Sequence, residues 1–325
     1  MKRDVIFKNT YTSDLLIEQH FHGCYGVDFS TCNETELLEL SKKLLYHGIG
    51  GFFPTLVTDS VENIKRQISV IKRAMTAQTS DMARILGVHL EGIFINPSKK
   101  GIHDESKFLA PTVKNYKLIE DEVIKIVTLA PELDDGAKLQ KYLLKKGVKV
   151  QAGHCISGEL RHCTGVTHTF NAMEGISHKH SSTTLSALIN DDLFAEIIAD
   201  EIHVNQDCLK LFFKSKPKNK IILVSDSLPI AQSELENMEF AGTKIFYDGK
   251  KATSKEGTLA GSTAVLNYLV KTLSTKNPEN FNTYVKMAST NVSKYHKLKL
   301  NGKVWWDKNF NIVAVEKDGY VLCKI

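Results

Sequence analysis

The sequence predicts an α/β fold, a (β/α)8 TIM barrel in which parallel strands alternate with helices. Three observations carry that expectation. Strand-like and helix-like segments alternate from about residue 14 to about residue 275. Eight apolar runs of strand length can be counted, and eight units in about 260 residues is the size of such a barrel. Polar side chains suited to metal binding or proton transfer end several of these runs, namely Glu91, His154, His168 and Asp226. An open doubly wound sheet is the competing arrangement, but no G-x-G-x-x-G follows the first strand and no Walker sequence occurs.

The elements follow in order. Residues 15–19 read as the first strand. Glu34–Tyr46 carries Leu at 37, 38, 40, 44 and 45, the spacing of an amphipathic helix. The glycine-rich stretch 48–51 is a helix-to-strand turn into the second strand, 49–53. Val61–Ala77 keeps Ile64, Ile68, Ile71 and Met75 at helical spacing. Residues 84–90 form the third strand, followed by a long loop through Ala110 and a short helix near 114–120. Strands at 123–129 and 148–152 bracket a Lys-rich helix, 137–146, that stops at Gly147 as a C-cap should. Runs at 165–170, 194–199 and 221–224 complete the eight. A β-hairpin over 240–258, with strands 243–247 and 251–254 turning at Asp248-Gly249, precedes a final helix at 262–273. Two more short helices and a meander at 304–306, 312–316 and 320–324, turning at Asp318-Gly319, close the chain; residues 5–7 could join that meander. The expected division is a barrel over 14–297 and a small β-subdomain from 1–13 plus 298–325.

Composition bounds the function. With 42% hydrophobic and 24% charged residues among 325, the chain has an ample core and no long polar tract. The net charge of +5 is attributed to Lys-rich surface helices and gives no nucleic-acid stripe. No apolar run approaches the length of a membrane span, and the charged N-terminus lacks an apolar signal region. Six cysteines without C-x-x-C spacing fit free thiols in a reduced, cytoplasmic compartment.

The strand-end residues point to chemistry. Glu91, His154 and His168 make a His2Glu set, a combination used by catalytic zinc with an open position. Their wide separation suits a site assembled across a barrel rather than a local structural clamp. His20 and His22 flank Phe21, so on a strand both imidazoles share one face. Asp226 ends the run Ile-Ile-Leu-Val-Ser, too apolar to bury a carboxylate without a task; a base beside a metal is such a task. Cys155 lacks a distinct paired base and is expected to be a structural thiol.

These residues resemble the N-acetylglucosamine-6-phosphate deacetylases of the amidohydrolase superfamily. The likeness covers nearly the whole chain through residue 290. It runs through HxHG at 20–23, GxxxFxPTxxT at 48–58, HLEG at 89–92, KKGxH at 99–103 and TLAPE at 128–132. It continues through AGH at 152–154, THxFNAM at 167–173, IIADxxHV at 197–204, LVSD at 223–226 and GTLAGS at 257–262. It implies a barrel of the metal-dependent hydrolase type, with a divalent transition metal, zinc or iron, held by Glu91, His154 and His168. His20 and His22, with Glu91 bridging, would permit a second ion. Asp226 would be the general base and then acid, and His103 would polarise the acetyl carbonyl. Asn171, the backbone at Ala172, and His203 would hold a phosphorylated amino sugar, and a homodimer is implied.

The chain also departs from the family. Lys179 stands where an Arg usually reaches the neighbouring subunit's phosphate, without the bidentate fork. Glu201 replaces a usual Gly, placing an anion near the expected phosphate site. The sandwich segment ahead of His20 is shorter than usual, and the tail after Lys297 lacks G-x-D-A-D-L. Two alternatives stay open: an amidohydrolase acting on another N-acyl substrate, and a non-catalytic sugar-phosphate-binding barrel.

Overall fold

A computed structural model describes residues 10–323. Among the described residues one parallel sheet has a path of eight strands, β1 (Leu16–Phe21), β2 (Ile49–Leu56), β3 (Val88–Glu91), β4 (Ile124–Leu129), β5 (Lys149–Ala152), β6 (Gly165–Val166), β7 (Phe194–Ile197) and β8 (Ile221–Leu223), with a ninth, Arg84–Ile85, paired to β2 off that path. Each pairs with its sequence neighbour in the order β1 to β8. At the end of β1 and just past β8, Asp226 N–H donates to the His20 carbonyl at 2.9 Å, and His22 N–H donates to that of Ser227 at 2.8 Å. These bonds join the outermost strands and close the barrel, as expected.

Local sequence explains most boundaries. Helix Glu34–Tyr46 starts at Asn33, whose side chain accepts from Glu36 N–H while the Glu36 carboxylate accepts from Asn33 N–H, a capping box. It buries Leu37, Leu40, Leu44 and Leu45, and helix Val61–Ala77 buries Ile64, Ile68 and Ile71 on its own inner face. The expected third strand is split into Arg84–Ile85 and β3. Gly87 between them sits at φ +141°, and a Cβ there would lie 2.3 Å from Lys125 Cγ and 2.7 Å from the Val123 carbonyl oxygen. Only glycine permits that approach.

Four expectations need correction. The sixth run leaves strand geometry after Val166, because His168 and Phe170 turn to positive φ. The link from β5 to β6, residues 153–164, carries no helix, so the eight strands are not matched by eight helices. The hairpin gains a third strand, Asn237–Phe240, in front of Thr243–Tyr247 and Ala252–Ser254, and the helix placed at 262–273 is Leu266–Lys276. The terminal meander forms as expected and takes Tyr11–Ser13 as a further strand, while residues 5–7, expected to join it, lie outside the described residues. That sheet (Tyr11–Ser13, Gly302–Trp306, Ile312–Lys317, Tyr320–Cys323) is anchored by buried Trp306, whose indole N–H donates to Ser13 Oγ at 2.9 Å. Its last turn has Asp318 and Gly319 at φ +50° and +84°, the two left-handed residues of a type I′ hairpin.

Candidate active site

Strand ends aim the expected residues at one point. In β1, Phe21 turns outward to pack on Phe29 and Phe52, at 4.8 and 5.6 Å between ring centroids. The alternation turns His20 inward, and His22 follows on the same side. Glu91 closes β3. His154, His168 and Asp226 each lie just past a strand and take φ of +49°, +30° and +51°. Left-handed backbone costs a non-glycine residue about 1–2 kcal/mol, and three such positions surround this one point.

The side chains meet around Glu91. Its Oε2 lies 3.0 Å from Nε2 of both His20 and His22; its Oε1 lies 2.9 Å from His168 Nε2 and 3.4 Å from His154 Nε2. Asp226 Oδ1 is 3.3 Å from His20 Nε2 and 3.2 Å from His22 Nε2. All are buried.

The partners of the far ring nitrogens reveal what this cluster wants. His22 Nδ1 lies 3.2 Å from the Thr55 carbonyl, His154 Nδ1 lies 2.8 Å from that of Lys99, and His20 Nδ1 lies 2.9 Å from the Glu196 carboxylate. Each partner is an acceptor, so Nδ1–H must donate and, in the neutral ring, Nε2 carries a lone pair. Those lone pairs converge on carboxylate oxygens, acceptor against acceptor. Glu91 Oε1 has no hydrogen-bond donor among the described residues. Only added positive charge reconciles the set, and histidine and carboxylate donors of this kind suit a divalent transition metal. Electrostatics agrees. Burial opposes charge on His20, yet Glu91, Asp226 and Glu196 hold its pKa well above the usual range. Burial likewise opposes charge on His22, but bonds to Asp226 and Glu91 bring it to about 9. The carboxyl of Glu91 is pushed up by burial but held well below its ordinary value by His20, His154 and His168.

The remaining expected residues are distributed around the mouth. A cavity of about 320 Å³ opens beside the cluster, walled by His103, Asn171, Ala172 and His203 among others. Burial drives His103 down to a pKa of about 3, so it is a neutral imidazole, with Nδ1 2.9 Å from Thr58 Oγ1. Burial disfavours charge on His203, but Asp200, 2.7 Å from its Nδ1, shifts it toward the protonated form. Lys179 is exposed and does not line this cavity. The anion expected from Glu201 is turned away: its carboxylate pairs with Lys276 and Gln206 beside a neighbouring hollow. Glu201 sits at φ +62°, a conformation glycine takes without strain. Cys155 is buried, and burial pushes its thiol up, out of reach of nucleophilic chemistry.

Sequence reasoning missed several contributors. Glu196, inside the apolar run of β7, holds His20 Nδ1 with Oε2 and accepts from Gln19 Nε2 with Oε1 at 2.5 Å. Thr58 holds His103. Lys99 lines the cavity, the one Lys or Arg among the described residues that do. A buried carboxylate in an apolar strand was the available signal for Glu196, the same argument that singles out Asp226. Carboxylates behind metal-ligating histidines are typically worth 10- to 100-fold in metal affinity. Glu196→Gln should therefore lower affinity for an ion held through His20 by about that factor and leave the fold intact; titration with a metallochromic chelator reads it, and unchanged affinity would show that Glu196 orients nothing.

With this geometry in place, likeness to known proteins is decisive. No family model matches the chain. It is 28% identical to the N-acetylglucosamine-6-phosphate deacetylase of Bacillus subtilis, over 95% of this chain and 82% of that one. It is 31% identical to the Caenorhabditis elegans protein of the same name, over 79% of this chain and 67% of that one. The chain belongs to the N-acetylglucosamine-6-phosphate deacetylase family. A solved family structure, from Thermotoga maritima, superimposes with a TM-score of 0.86 at 26% identity, covering 96% of this chain and 89% of that one. The likeness of both the fold and the family thus extends across the barrel and into the terminal sheet.

Proposed function

We propose that the chain removes the acetyl group of an N-acetylhexosamine 6-phosphate, N-acetylglucosamine 6-phosphate above all, yielding acetate and the free amine. The observation that carries this reading is the set of four imidazole Nε2 atoms and two carboxylates meeting at the floor of one cavity. A divalent ion held by Glu91, His154 and His168, with His20 and His22 offering a second position, supplies Lewis acidity toward an acyl oxygen and a water. Asp226 stays ionised: burial raises its pKa, but His20 and His22 prevail and hold it below the usual range. It takes a proton from the attacking water and returns it to the nitrogen as the C–N bond breaks. His103, in the tautomer where Thr58 donates to Nδ1, presents Nε2–H to the acyl oxygen. Asn171, the main chain at Ala172, and His203 hold the sugar phosphate, and Asp200 favours the protonated form of His203 beside its anion. Zinc or iron as the ion, a cytoplasmic setting and a homodimer complete the proposal; among the described residues no helix is long and apolar enough to cross a membrane.

An amine-release assay over N-acetyl hexosamines with and without a 6-phosphate tests the substrate. A clear preference in kcat/KM for the phosphorylated sugars is expected; indifference to phosphate would favour a relative acting on another N-acyl compound. Two lysines compete for the phosphate: Lys179 reaching from a neighbouring subunit, and Lys99 in the wall of its own. Losing a charge-assisted hydrogen bond costs about 10- to 100-fold. Lys179→Ala should raise KM by that order for the phosphorylated sugar and hardly at all for its unphosphorylated analogue. If Lys99→Ala does so instead, phosphate is gripped within one chain.

A further inference from the structure

The opposite end of the barrel carries a second cavity, of about 420 Å³. It opens where strands begin, whereas the catalytic residues sit where they end. Lys149 is the first residue of β5, Lys125 is the second of β4, and Arg84 opens the short strand that pairs with β2. These three and Lys299 line the cavity, and no carboxylate does among the described residues. The cations are not spoken for. Arg84 and Lys299 make no hydrogen bond or ion pair among the described residues. Lys125 Nζ reaches only the Glu122 main-chain carbonyl, at 2.7 Å, and Lys149 Nζ lies 4.8 Å over the Tyr295 ring. The floor between them is apolar, built from Phe53, Leu86 and Leu298, with His296 packed on the Phe53 ring at 4.4 Å.

The geometry points to a second binding site at this end of the barrel, for a small phosphomonoester carrying an apolar body. Like charges gathered around one concave opening raise the local positive potential there and favour an anion. The volume falls in the usual range for small-molecule sites, about 300–1,000 Å³. The apolar floor selects against bare inorganic ions, which gain nothing from it. Burial, and then the charge of Lys297, draw Lys149 below the ordinary lysine range, as expected of a cation lacking a counterion. The inference does not rest on the reaction proposed above.

Calorimetric titration at low ionic strength with phenyl phosphate, beside inorganic phosphate and phenol, tests it. One phenyl phosphate per chain is expected to bind more tightly than either fragment. The Arg84→Gln/Lys299→Gln double variant should weaken that binding at least tenfold while keeping its Tm and its deacetylase activity. His203→Ala, in the catalytic cavity, should leave it intact. Absence of binding, equal affinity for inorganic phosphate, insensitivity to the double variant, or loss in His203→Ala would each overturn the proposal. So would a fall in Tm of the double variant, since the cations would then be serving the fold.

Discussion

Glu91→Gln is expected to abolish both metal binding and turnover. The two oxygens of Glu91 serve different halves of the site, Oε2 facing His20 and His22 and Oε1 facing His154 and His168. An amide keeps the shape but replaces one acceptor with a donor and removes the charge that both positions share. The loss should reach the fold as well. Breaking a buried ion pair by removing one partner typically costs about 3–5 kcal/mol, so the variant should unfold at a lower temperature than the ion-free parent. Elemental analysis of the purified variant, with thermal unfolding by circular dichroism, checks both. A stoichiometric ion in Glu91→Gln would mean that the histidines bind without it and that the bridging role is wrong.

Asp226→Asn separates proton transfer from binding. Its Oδ1 faces His20 and His22, whereas His154 and His168 face the other oxygen of Glu91, so that Glu91, His154 and His168 should keep their ion. Asparagine cannot accept the proton that the attacking water must lose. General acid–base catalysis is worth about 10²–10⁴-fold, and kcat should fall by that order with KM little changed. Near-normal turnover would assign the proton to another group; His103 also lines the cavity, yet its pKa of about 3 makes it a poor base.

The sequence carried the catalytic floor further than its surroundings, for physical reasons. Glu91, His154, His168 and Asp226 were legible because each ends an apolar run, where a charged side chain has no cheap explanation. His20 and His22 were legible through the two-residue period of a strand. The boundary of β6 was not, because the apolar pattern through Phe170 looks the same whether the backbone stays extended or turns at His168. The helix-free link from β5 to β6 escaped notice for a related reason: strand counting does not show what fills the connections. Glu196 sits inside β7, where a carboxylate in an apolar run signals a task but only its pairing with His20 across the barrel shows which one. The direction of Glu201 depends on Lys276, far along the chain. Lys99 was seen within a motif, but its place in the cavity wall depends on how the loop after β3 folds back over His154.

Removal and return of the ion probe the central claim most directly. The protein would be stripped with a chelator, assayed for acetate release from N-acetylglucosamine 6-phosphate, and reloaded with measured amounts of zinc or iron. Activity should vanish on stripping and return in proportion to ion bound, saturating at one or two per chain. Full turnover by the stripped protein, or no acetate from a chain carrying its ion, would contradict the account.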